Sequence, residues 1–333
     1  MPVMRDLDDQ ALKPGPAFAM TFMLCVISVA ALMAYIPESY LAGWRDLTIL
    51  ITKGLGELLG LAMTRDADIL TVNGFAMRII GQCTAADYIA ILATAMLLYT
   101  RHRFSYRLLG LAVAVPVVVF ANACRLIISG VVGTFSRRAF DWIHDYLWVI
   151  AFALLIVAIW TLWVNGRLLV SRSAAWRVAQ VTVLSVAAYA LLLVFQDAHR
   201  DLMAHASSFL YALLNNDPQA TIINDGNGMV YSRAGSRIYL DNMMEQANVA
   251  IYVGLMGPLQ KKGDWEMLGM TVFGFVTIVL LGAIFIAIGS GLAVTSGTIS
   301  LIGFQRIGSI VNLALPMTVY WIMASERGRN KLC

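Results

Sequence analysis

Apolar residues run in blocks along this chain, and polar residues collect in the short gaps between the blocks. A helix that crosses a bilayer needs about 20 predominantly apolar residues. Ala17–Ile36 meets that length and is stopped by Pro37-Glu38. Thr84–Thr100, Leu108–Asn122, Leu147–Val164, Val178–Phe195, Met267–Ile288 and Ile299–Ala324 read as further spans. Leu126–Phe135 either continues the third span or re-enters the membrane. Trp44–Met63 is different. Leu47, Leu50, Ile51, Leu55, Leu58, Leu59 and Met63 recur at helical spacing, with Arg45, Asp46, Lys53 and Glu57 between them. That pattern predicts an amphipathic helix lying in the interface. His199–Leu214 reads the same way. Ile69–Val72 and Phe75–Ile80 flank Asn73-Gly74, a strong hairpin signal. The hairpin must lie outside the hydrocarbon or be shielded by protein. Asn215–Tyr239 is polar and glycine-rich, an external loop or small subdomain. No internal repeat is read along the chain.

Composition agrees with the pattern. Of 333 residues, 59% are hydrophobic and 13% charged, with mean hydropathy +0.74. Soluble domains carry about 25% charged residues, so the fold class is an all-α polytopic membrane protein. We expect a helical bundle of about 7–8 transmembrane segments, with a short extracytoplasmic β-hairpin and an extracytoplasmic loop region. The net charge of +4 is a loop property and implies no nucleic acid. The N-terminal block lacks a strongly basic flank and a cleavage signature, so it is expected to stay as the first span.

Loop charge orients the bundle. Arg101, Arg103 and Arg107 follow the second span, and Arg167, Arg172 and Arg177 follow the fourth. Short basic loops face the cytoplasm. The opposite ends, which carry Cys83, Arg125 and His144, then share the non-cytoplasmic face; Arg137 and Arg138 run against this assignment. Asn248–Leu259 is apolar but short. If it crosses, Lys261-Lys262 and the basic tail (Arg327, Arg329, Lys331) both fall inside; if it does not, the tail lies outside. The crossing arrangement satisfies the charge rule and is the expectation adopted.

The chemistry concentrates at three separated positions. The cysteines are Cys25, Cys83, Cys124 and Cys333, and they suggest no disulfide framework. A thiolate is a nucleophile, and a neighbouring cation favours it. Arg125 is a permanent cation that could serve the thiolate or the oxyanion formed on attack at a carbonyl. His144 titrates near neutrality and could move the proton. Asp141 or Asp145 could orient the imidazole. Asn122, one turn before Arg125 on the same helix face, could support the guanidinium or a substrate carbonyl. Each residue also has an ordinary reading: a packing cysteine, an arginine snorkelling to the interface, a solvated loop histidine. Cys124 is the rival nucleophile, but its side chain diverges by about 100° from that of its neighbour Arg125. His199, His205, Asp197 and Asp201 have poor ligand spacing, and neither metal nor cofactor is expected.

Cys83 after a hairpin, then Asn122-Ala123-Cys124-Arg125, then His144 ahead of Trp148 and Phe152, resembles the exosortase/archaeosortase family of membrane cysteine transpeptidases. The resemblance covers roughly residues 17–170, the expected catalytic core. Residues 171–333 form a C-terminal extension with an extracytoplasmic segment near 197–260, and resemble nothing named. The resemblance makes Cys83 the nucleophile, Arg125 the thiolate or oxyanion partner and His144 the general acid/base. Thr84-Ala85 stands where Ser-Gly is usual. It also implies partners: exported proteins with a C-terminal sorting signal (a short Pro-Glu-Pro-like motif, a membrane helix and a basic tail), membrane lipid, and a lipid or glycan acceptor. The implied setting is the bacterial cytoplasmic (inner) membrane, multi-pass, with the active site facing the periplasm. The alternative is a non-catalytic membrane partner in exopolysaccharide or envelope assembly.

Overall fold

The computed structural model describes residues 15–35, 38–165, 172–215, 220–225, 229–233, 236–240, 245–259 and 264–330. The chain divides into two compact units. One comprises residues 35–166; the other comprises residues 1–34 with residues 167–333.

The first unit begins with the amphipathic helix expected near Trp44, α2 (Glu38–Leu58); α1 (Pro16–Tyr35) precedes it in the chain. The hairpin expected next is a three-stranded antiparallel sheet, β1 (Met63–Asp66), β2 (Ile69–Val72) and β3 (Phe75–Arg78). Asn73 (φ 47°) and Gly74 (φ 88°) both take positive φ between Val72 and its partner Phe75, which is what a type I′ turn requires. β1 was not anticipated. It joins β2 through a two-residue turn in which Ala67 takes φ 51°. Met63, Leu70, Val72 and Met77 form the buried face, packed with Ile49 of α2.

A short 3-10 turn (Gly81–Thr84) leads into α3 (Ala86–Leu98). The next helix, α4 (Phe104–Phe135), is unbroken across 32 residues. The third span therefore does not end at Asn122, and Leu126–Phe135 continues it. Arg125 lies inside a helix rather than at its end. At 1.5 Å per residue α4 is about 48 Å long, against a hydrocarbon thickness of about 30 Å. Its last turns carry the sheet. A Cβ on Gly130 would stand 2.6 Å from Cγ2 of Val72, and one on Gly133 would meet the Phe75 ring. Glycine is what lets helix and sheet approach. Gly130→Val is expected to destabilise the protein by about 1–3 kcal/mol, more than the helix propensity gained. Thermal unfolding in detergent would measure it, and an unchanged midpoint would argue against this packing.

The segment expected as a polar loop, Ser136–Tyr146, is helical. It comprises α5 (Arg137–Trp142), capped by the Ser136 hydroxyl accepting from Ala139 N–H, and a five-residue wide π-turn (Ile143–Leu147) that runs into α6 (Trp148–Val164). His144 thus sits on a helical turn.

The second unit contains α1, α7 (Arg172–Val194) and α8 (Gln196–Asn215). The break between α7 and α8 bends the chain by 78°. The polar Asn215–Tyr239 stretch holds a second antiparallel sheet, β4 (Thr221–Asn224), β5 (Met229–Arg233) and β6 (Ser236–Leu240). Ser208 of α8 pins its edge, donating to the Ile222 carbonyl and accepting from the Ile222 N–H. After α9 (Glu245–Met256), the final helical run α10 (Trp265–Asn330) doubles back on itself: the rings of Phe285 and Phe304 stack at 4.1 Å. It thus forms two antiparallel arms where two spans were expected. Phe18 and Phe22 of α1 pack edge-on to Trp321 of the second arm, each at 5.1 Å.

Pro16–Ala34, Phe104–Phe135 and Trp265–Leu292 are long and apolar enough to cross a membrane, and the bent pair α7–α8 makes a fourth candidate. Four further helices are apolar but shorter: Ala86–Leu98, Trp148–Val164, Ala247–Leu259 and Ile310–Met323.

Candidate active site

Cys83, Asn122, Arg125 and His144 all belong to the first unit. Cys83 lies in the 3-10 turn between sheet and α3, 6% exposed, with its thiol free. Its side chain joins the core cluster of Leu70, Val72, Met77, Ile79 and Leu126. The turn is held from two helices. Asn122 Nδ2 of α4 donates to the Cys83 carbonyl at 2.8 Å, and Trp44 Nε1 of α2 donates to the Thr84 carbonyl at 3.3 Å. The Thr84 hydroxyl donates back to Gly81 O at 2.6 Å, so it serves the turn. Ala85 then takes φ 56°. This is a left-handed backbone that a residue with a Cβ seldom adopts. It accounts for glycine at this place in the sequence pattern that Thr84-Ala85 departs from.

Asn122 and Arg125 stand one turn apart on α4, 1% and 8% exposed. Each carries a buried atom with no hydrogen-bond partner among the described residues: Oδ1 of Asn122, an acceptor, and Nε of Arg125, a donor. The guanidinium lies over the ring of Phe152, 5.5 Å from its centroid. A cation–π contact offsets part of the cost of burying the charge. Nothing described forms an ion pair with it.

His144 is half-buried and stacks on Phe140 at 5.4 Å. Phe140 in turn packs against the cluster that holds Cys83. Burial chiefly, and then the Arg125 cation, push the imidazole below its ordinary value of 6.5; Asp141 pulls the other way and Arg137 adds to the lowering. Thus Asn122 touches the backbone of Cys83, Arg125 lies within electrostatic reach of His144, and Phe140 links His144 to the Cys83 cluster. Among the described residues no hydrogen bond joins the thiol to the imidazole. Catalytic contacts are often loose before substrate binds. Of the two candidate acids, Asp141 is exposed and paired with Arg137 at 3.1 Å. The side chain of Asp145 lies outside the described residues. Cys124 is half-buried, on a different face of α4 from Arg125.

Three contributors were not legible as such. Trp44 looked like the rim of an interfacial helix. Trp148, whose Nε1 donates to the buried Ser129 hydroxyl at 2.8 Å, fixes α6 against α4. Phe152 also packs on Tyr88 of α3 at 4.9 Å. Trp148 and Phe152, four and eight residues after His144, were the available signal.

Compared with known proteins, residues 14–161 match the family described as "Transmembrane exosortase (Exosortase_EpsH)". Nothing matches among curated proteins or among solved structures.

Proposed function

Because residues 14–161 match the transmembrane exosortase family, we propose that this multi-pass membrane protein is a cysteine transpeptidase acting at the outer face of the membrane. It cleaves C-terminal sorting signals of exported proteins, in a bundle of about 7–8 spans. One observation carries the reading. On α4, where Asn122 Nδ2 holds the Cys83 carbonyl, a buried acceptor (Asn122 Oδ1) and a buried donor (Arg125 Nε) stand one helical turn apart, unmet among the described residues. A peptide unit offers the complementary pair, an N–H to Asn122 and a carbonyl oxygen to Arg125. Unmet buried polar atoms are costly, so they mark where a partner is awaited.

The reaction follows. The thiolate of Cys83 attacks the peptide carbonyl carbon, an S–C bond forms, and Arg125 stabilises the developing oxyanion. The C–N bond then breaks, and His144 gives the proton taken from the thiol to the departing amine. An acceptor hydroxyl, from water, lipid or glycan, attacks the thioester. It loses its proton to His144, and that proton returns to the cysteine sulfur. Loop charge supports the placement. From Arg107 to Arg125 is about 27 Å of helix, close to the hydrocarbon thickness. That sets the guanidinium at the membrane edge opposite the basic loop, where the motif of a membrane-anchored substrate would emerge.

The test is direct capture. The full chain is incubated with a membrane-inserted substrate bearing such a signal, then examined by peptide mass spectrometry. A hydroxylamine-labile acyl adduct on Cys83 is expected. An adduct on Cys124, or substrate turnover with no adduct, would overturn the assignment.

His144 adds a pH signature. Its folded value lies below the unfolded 6.5. Above 6.5 it is neutral in both states and contributes no pH dependence to stability. As pH falls below 6.5 the unfolded chain takes up the proton first, so stability declines. The neutral base survives to a pH below 6.5, so the acid limb of the rate profile should fall there and should vanish in His144→Gln. An acid limb centred above 6.5 would contradict this.

A further inference from the structure

We infer that the C-terminal half, residues 172–323, is a second copy of the fold of residues 16–164 that has lost the reaction chemistry and crosses the membrane in the same direction. The order of elements is the first observation. Helix α1, amphipathic α2, strands β1–β3, short α3, long α4 and apolar α6 are followed by α7, amphipathic α8, β4–β6, short α9 and the two arms of α10. Each element of the second series lies about 160 residues after its counterpart, the spacing that marks an internal repeat.

Short stretches of sequence recur on the corresponding elements, at offsets within a few residues of those of the elements. Val26-Ile27-Ser28-Val29-Ala30-Ala31 of α1 returns as Val183-Leu184-Ser185-Val186-Ala187-Ala188 of α7. Arg45-Asp46-Leu47 of α2 returns as Arg200-Asp201-Leu202 of α8. Ala90-Ile91 and Met96 of α3 return as Ala250-Ile251 and Met256 of α9. The contacts repeat too. Asp46 accepts from Arg65 of β1, and Asp201 accepts from Asn224 of β4; in each half an aspartate of the amphipathic helix is tied to the first strand of the following sheet. In each half that helix, the sheet and the long helix share one core: Ile49, Leu70 and Leu126 in one, Met203, Ile222 and Ile286 in the other. Basic residues recur in place along the sequence. Arg101 and Arg103 precede α4, as Lys261 and Lys262 precede α10.

The chemistry does not recur. Aligning the starts of α4 and α10 sets Asn122 against Ala283 and Arg125 against Ile286. Both are sealed in the core, 0% and 6% exposed, where the first copy leaves polar atoms unmet. No cysteine lies between Cys124 and Cys333, and no histidine follows His205. The second copy holds a fold, and the reaction is confined to the first. The first copy has an even number of crossings (α1, α3, α4, α6), so a copy appended to it starts on the same side. The short α9 must then cross as α3 does. This orientation rests on the sidedness proposed above for the active site; the duplication itself does not.

The experiment maps the full chain with single cysteines introduced after all four native ones are replaced by serine. Asp66→Cys and Thr221→Cys, one in each sheet, should react with a membrane-impermeant maleimide in intact spheroplasts. Arg103→Cys and Lys261→Cys should react only after permeabilisation. If the first-copy pair behaves so and the second-copy pair is reversed or lies on one side, the duplication in one orientation is wrong. If the first-copy pair is itself reversed, it is the outer-face reading of the active site that fails. A double variant in the native-cysteine chain, Asn122→Ala with Arg125→Ile, gives the first copy the residues of the second. Loss of processing, with unchanged labelling when the same pair is placed in the single-cysteine chains, is expected; retained processing would show that the second copy's residues suffice and that it is not silent.

Discussion

Cys83→Ala is expected to abolish cleavage of a sorting-signal substrate while the protein still accumulates in the membrane. The loss should be on the order of 10⁴–10⁶ in rate, the scale seen when a catalytic nucleophile is removed. The fold should survive it. The thiol packs among Leu70, Val72 and Met77, but the turn is held through main-chain oxygens, Asn122 on Cys83 O and Trp44 on Thr84 O, and alanine keeps both. The cost to stability is that of one lost buried atom, about 1 kcal/mol. Processing is read by the mobility shift of the substrate, and folding by the thermal midpoint in detergent. Normal processing in this variant would remove the enzyme reading and leave the non-catalytic assembly partner in its place.

Arg125→Met should separate activity from stability in opposite directions. A lone charge buried in a membrane helix is expensive. Among the described residues Arg125 has no acid partner, only the ring of Phe152, so replacing it strands no opposite charge. Methionine fills similar volume without the desolvation cost. The thermal midpoint should therefore hold or rise. Catalysis should fall about 10²–10³-fold, the usual loss when an oxyanion donor is removed. The loss should appear in kcat more than in KM, because the interaction strengthens only as negative charge develops. Arg125→Lys keeps the charge but not the fork of donors and should recover only part of the rate. If both midpoint and rate fall together, the arginine is a structural residue.

The apolar blocks placed most helices correctly, because burial in lipid leaves an unmistakable run. They failed where charge sits inside a helix. Arg125 made α4 look finished, since the pattern cannot show that an aromatic ring on α6 receives the guanidinium. Ser136–Tyr146 looked like a loop because Arg137, Arg138, Asp141 and Asp145 mask the four-residue spacing of Phe140 and His144 that stacks their rings. The first sheet was half legible. Asn73-Gly74 announced one turn, but Ala67 at positive φ gives no compositional cue, and β1 with its Thr64, Arg65 and Asp66 lacks the alternation of a half-buried strand. The candidate site was readable as residue types in order. Its arrangement was not, because the hydrogen bond from Asn122 to the Cys83 carbonyl is a side chain meeting a backbone.

The wide turn at Ile143–Leu147 acts as a phase shifter. On an uninterrupted α-helix, His144 and Phe152, eight residues apart, would point roughly 80° away from each other. A π-turn advances less per residue and takes back part of that angle. Imidazole and ring can then both address one guanidinium, His144 within its field and Phe152 beneath it. The wide turn is a rotation built into the rod: it lets one continuous helical stretch present an imidazole and an aromatic floor to a single guanidinium, with no loop between them.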